Sequence, residues 1–123
     1  MSTAIELHRK AISADLKTMA STLIEVLGRP ITAYIVHVRN VKTVSRWASG
    51  EVSSVRDRYS EERLLAAYQV VSLLQEFEGN ETIRAFMLGM NPVLNDEAPA
   101  QALRDGNFVG AMDAAKNLAA GGY

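Results

Sequence analysis

The sequence predicts an all-α fold that contains a helix-turn-helix. Apolar residues recur at helical spacing between breaks, first as Leu7, Ile12, Leu16, Met19, Leu23 and Leu27. Chain breakers separate the periodic segments, at Gly28-Arg-Pro30, Gly50, Gly79, Gly89 to Pro92, and Gly106. No run alternates apolar and polar residues as a half-buried strand would.

Residues 4–27 meet no proline or glycine until Gly28, and Ser13 or Ser21 leaves open whether they form one helix or two. Pro30 suits the first turn of the next helix, where its missing N–H costs nothing. That helix, 30–38, buries Ile31, Tyr34, Ile35 and Val38, and Ala33 is small enough for a close helix crossing. Arg39-Asn40 forms the turn, because asparagine tolerates the left-handed conformation. The second helix runs from about Val41 to Ser49, with Val44, Trp47, Ala48 and Val41 on its buried face. Gly50 stops it, as glycine does where φ must be positive. Residues 51–59 read as a polar loop.

Ser60 is the expected N-cap of a helix over 60–77, with Glu61 and Glu62 favouring its positive end. Leu64, Leu65, Ala67, Tyr68, Val71, Leu74 and Phe77 form its apolar stripe. Asn80 is expected to cap a helix through Leu88 that buries Ile83, Phe86 and Met87. A loop follows over 93–97. Pro99 opens a short helix that ends before Gly106, and Asn107 caps a last helix to about Ala120. The chain divides into an N-terminal helical extension (1–20), a helix-turn-helix region (21–59) and a helical region (60–123).

Composition narrows the function classes. Of 123 residues 48% are apolar, ample for a core, yet no stretch reaches the eighteen consecutive apolar residues of a membrane span. The start lacks the apolar stretch of a signal peptide, and cysteine is absent, so a reducing cytoplasm is expected. The net charge of −1 hides an asymmetry: residues 39–58 carry five basic and two acidic groups, whereas residues 60–123 carry four basic and nine acidic ones. A basic island on a short amphipathic helix is what duplex DNA demands of a major-groove reader. Arg39, Lys42, Thr43, Ser45 and Arg46 are therefore the candidate DNA contacts, Arg46 to guanine or phosphate and Lys42 to phosphate. A homodimer is expected, since one recognition helix covers only a few base pairs.

Other residues read more plainly. His8 and His37 stand apart from any second ligand at metal-binding spacing. Glu61 and Glu62 are adjacent on a helix and diverge by about 100°, so they do not converge on a substrate. Met87, Met90 and Met112 suit core filling or an adaptable binding surface. Nucleophile-plus-base patterns, phosphate-binding glycine loops and metal motifs are not found, so neither an enzyme nor a cofactor is expected.

The order of motifs carries more. Val44-Ser-Arg-Trp-Ala-Ser-Gly-Glu51 is followed by Arg63-Leu-Leu-Ala-Ala-Tyr68, then Ile83 to Leu94 with Asn91-Pro-Val-Leu94, then Pro99 to Gly106 with Leu103 between. Over about residues 27–120 this resembles the Xre/MbcA/ParS antitoxin family. The resemblance implies an Xre-like helix-turn-helix followed by a small helical toxin-binding domain. It further implies a type II antitoxin that covers the active site of a RES-domain toxin, an NAD-consuming enzyme, and that can repress its own promoter. Asn91, Pro92, Phe108, Met112 and Tyr123 are the candidate toxin contacts. This chain has Phe86 where the family commonly has tryptophan, and Asn95-Asp96-Glu97 where it often has glycines. The alternatives are a stand-alone transcriptional regulator with the same helix-turn-helix, or a protein-interaction module without a toxin.

Overall fold

The computed structural model describes the backbone of residues 4–122 and the side chains of residues 16–122. Seven α-helices are found among them: α1 (Ala4–Leu27), α2 (Arg29–Val36), α3 (Val41–Ser49), α4 (Arg58–Gln75), α5 (Asn80–Leu88), α6 (Pro99–Arg104) and α7 (Phe108–Ala119). A single 3₁₀ turn, Pro92–Leu94, lies between α5 and α6. Residues 4–27 form one helix; neither Ser13 nor Ser21 divides it. Ser21 instead reaches sideways and donates its hydroxyl to the Ala48 carbonyl of α3 at 3.2 Å.

Two long helices organise the rest. α1 packs on α2, α3, α4 and α5, and α4 packs on α1, α2, α5, α6 and α7. Their fully buried residues, including Leu23, Val26, Leu64, Val70, Val71 and Leu74, join Ile35, Val44, Ile83, Met87 and Leu103 in one continuous core. α7 presents Ala111, Ala114 and Ala115 to that core, with Phe108, Met112 and Leu118 only half-buried beside them. Small residues at this spacing let two helices approach closely.

Several boundaries differ from the sequence expectation for identifiable reasons. α4 begins two residues before Ser60, and its cap is Asp57, whose carboxylate accepts from the Tyr59 N–H at 3.0 Å. Ser60 is buried inside the helix and donates to the Val36 carbonyl at 2.7 Å. The helical ladder leaves the last carbonyls of α2 without a donor. Ser60→Ala is therefore expected to cost about 1–2 kcal/mol, read as a lowered urea midpoint with an unchanged slope. At its other end α4 stops at Gln75, so Phe77 leaves the stripe and is 56% exposed. In the turn before α3 the left-handed residue is His37, with φ 63°, and not Asn40. Asn40 is extended and caps α3, its side chain accepting from the Lys42 N–H at 2.9 Å. α5 is preceded by Gly79 in the cap position, and Asn80 is its first residue. Phe86 is half-buried while Ile83 and Met87 are fully buried.

Candidate functional site

α3 is held from below and open above. Val44 and Trp47 are buried against α1 and α2, and Ala48 is half-buried. Val41, the first residue of the helix, is exposed and does not join the buried face. Lys42, Ser45, Arg46 and Ser49 fall on the opposite side at 100° per residue. Of these Lys42, Arg46 and Ser49 are exposed and Ser45 half-buried. Thr43 is half-buried at the edge of the face, and Arg39 is exposed in the turn before it. Beside α3, a groove of about 770 Å³ is lined by His37, Thr43, Arg46, Ser53, Ser54 and Arg56 among others. Two basic residues of the 39–58 island, Arg46 and Arg56, thus line one groove beside the exposed side of α3.

Two polar groups on this surface are already engaged. Arg46 Nε lies 3.3 Å from Glu51 Oε2. His37 Nε2 lies 3.1 Å from the Arg104 carbonyl, and its ring meets Tyr59 edge-on at 5.1 Å. His37 is therefore a strut between α2 and α6.

The C-terminal candidates separate by burial. Asn91 is 4% exposed. Its side chain accepts from the Val93 N–H at 3.0 Å, and its carbonyl accepts from Leu94 and Asp96 at 2.9 and 2.8 Å. Asn91 shapes the turn, and its neighbour Pro92 is exposed. The turn closes with Asn95 and Asp96 at φ 54° and 69°, left-handed positions that these two residue types tolerate best after glycine. Asparagine and aspartate thus hold here a conformation that glycine adopts most readily. Phe108 and Met112 are half-buried on α7. Tyr123 and His8 lie outside the described side chains.

One constellation was missed in the sequence. Arg63, on α4, is only 5% exposed. It donates from Nε to the Arg104 carbonyl at 2.8 Å and from Nη1 to the Tyr59 carbonyl at 3.2 Å. Its guanidinium lies 3.3 Å from the centroid of Tyr59 and 5.6 Å from that of Phe108. Gly106 has φ +87°, which strains any other residue, and a Cβ there would also press on Nη2 at 2.9 Å. Arg104 repeats the pattern, stacking on Tyr34 at 4.5 Å and donating to the Tyr34 carbonyl. The available signal was a lone arginine at a helix position whose neighbours Leu64, Ala66 and Ala67 are apolar.

No protein family model and no curated protein matches the chain. Among solved structures, a chain of the M. tuberculosis MbcT–MbcA toxin–antitoxin complex is similar, with 26% identity and a TM-score of 0.72, over 88% of this chain and 96% of that one. The fold is that of an MbcA-type antitoxin. Within this MbcA-type fold, the buried Asn91 and the Arg63–Gly106 contact account for two of the motifs that carry the sequence resemblance. No helix among the described residues is long and apolar enough to cross a membrane. No group of three or more His, Cys, Asp or Glu side chains among them could hold a metal ion.

Proposed function

We propose that this chain is an antitoxin that binds and neutralises a cognate RES-type toxin in the cytoplasm and represses its own operon through α3. The likeness to a chain of a toxin–antitoxin complex over nearly the whole length of both chains carries the antitoxin reading. The RES identity of the partner rests on the sequence resemblance. Pro92, Phe108 and Met112 are its proposed contacts, with Tyr123 at the tail, and Asn91 serves by holding the turn that presents Pro92. The acidic balance of residues 60–123 suits a partner with a basic face.

The operator reading rests on a different observation. The exposed side of α3 carries Lys42, Ser45 and Arg46, flanked by Arg39, with the buried side anchored by Trp47. Arg39 and Lys42 would meet phosphates and Arg46 a base edge, with Thr43 and Ser45 at the margins. Two copies related by a two-fold axis would double the short site that one helix reads.

Co-expression of the full chain with the product of an adjacent RES-domain gene tests the first part. Restored growth, a restored NAD pool and co-purification are expected. A chain that neutralises no neighbouring gene product, yet protects a duplex from its own promoter, would instead be a stand-alone regulator.

A further inference from the structure

We infer that Glu51 is a positioning residue for Arg46, and through it sets the guanine preference of the helix-turn-helix; this rests on the DNA-binding reading above. The end of α3 is closed by two backbone hydrogen bonds, Gly50 N–H to the Trp47 carbonyl at 3.3 Å and Glu51 N–H to the Arg46 carbonyl at 3.2 Å. Gly50 supplies the left-handed residue they require, with φ 82°. Ser49 tightens the closure, its hydroxyl donating to the Arg46 carbonyl at 3.0 Å and accepting from the Glu51 N–H at 3.3 Å. Residue 51 is therefore held by the backbone over the turn that carries residue 46. In this motif the two side chains so apposed are usually apolar. Here they are a carboxylate and a guanidinium, 3.3 Å apart.

Stability does not account for the pair. The side chains are 65% and 63% exposed, and ion pairs that open to solvent contribute little. Affinity does not account for it either, because a carboxylate on a surface that meets phosphates opposes binding. Geometry does. A guanidinium offers a planar fork of donors with two usable edges. Glu51 engages Arg46 at Nε, which leaves the edge formed by the two Nη groups for the O6 and N7 acceptors of guanine. A side chain biased toward one rotamer before binding loses less entropy on binding. The same carboxylate weakens attachment to duplexes that offer Arg46 only phosphate. Both effects raise discrimination between sequences, the first by favouring the guanine contact and the second by disfavouring contacts to phosphate alone.

The test is selection from a randomised duplex pool by the full chain, followed by fluorescence anisotropy on the selected duplex and on one with the preferred guanine replaced. Wild type, Arg46→Ala, Glu51→Gln and Glu51→Asp are compared, with thermal melts confirming that each is folded. Arg46→Ala identifies the guanine that residue 46 reads. Glu51→Gln is expected to bind the substituted duplex about threefold more tightly and to lose about tenfold in preference for that guanine. Glu51→Asp keeps the charge but withdraws it by one methylene. It is expected to bind the substituted duplex as wild type does and still to lose preference. Intact preference in either Glu51 variant overturns the assignment alone. A wild-type chain that retains no duplex overturns the DNA-binding reading, and this assignment with it.

Discussion

Arg63→Ala is expected to destabilise the protein by about 2–4 kcal/mol, from two lost charge-assisted hydrogen bonds and two lost cation–π contacts. In a domain of this length that lowers Tm by on the order of 10 °C. The reason is the setting of this guanidinium. It is buried, no carboxylate among the described residues pairs with it, and its charge is compensated by the carbonyls of Arg104 and Tyr59 and by the faces of Tyr59 and Phe108. Those groups belong to α4, to the end of α6 and to the start of α7, so removing the side chain loosens the joint that orients α7. Arg63→Lys should recover only part of the loss, because an ammonium cannot present Nε and Nη1 in a fixed plane. Arg63→Met fills most of the volume without a buried charge and should lose less than alanine. Urea titrations of the three variants, with equal slopes, check the order. A melting curve for Arg63→Ala that overlays wild type would show that the cation contributes nothing to the fold.

Lys42→Ala/Arg46→Ala is expected to weaken binding to the selected operator by about 100-fold, since Arg46 at a base edge accounts for about 1–3 kcal/mol and each lost phosphate contact adds to the deficit. The slope of log affinity against log salt should fall by about one for each phosphate contact removed. Both side chains are exposed and neither anchors α3, which is held by Val44 and Trp47. The double variant should therefore melt as wild type does, and it should still neutralise the toxin in co-expression. Anisotropy across a salt series and a growth assay read the two activities separately. Full operator binding by this variant would sink the assignment of α3 as the recognition helix. Loss of toxin neutralisation would place α3 in the toxin interface.

Much of this molecule is local and could be read from the chain. Seven helical segments were legible because apolar period, caps and breakers act within one or two turns. Asn107 capping α7, Pro99 opening α6 and Gly50 ending α3 are contacts between near neighbours. The exposed face of α3 was legible for the same reason: once Val44 and Trp47 are inside, Lys42 and Arg46 have only one side to occupy. The errors fell where distance along the chain matters. Ser60 looked like a cap because serine is a good one, but Asp57 takes that place and the hydroxyl of Ser60 satisfies a carbonyl twenty-four residues away. Phe77 continues the apolar spacing of the stripe, but α4 ends at Gln75 and leaves it exposed.

Sequence alone thus determined the helices, their order, the basic face and the family resemblance, since each depends on residue types at fixed short spacing. Tertiary structure alone decided how charge is spent. Arg63 joins segments forty-one residues apart, His37 and Arg104 tie α2 to α6 across sixty-seven, and Asn91 closes a turn in a buried site. A buried polar group is defined by its partner, and no periodicity announces a partner that arrives from another helix.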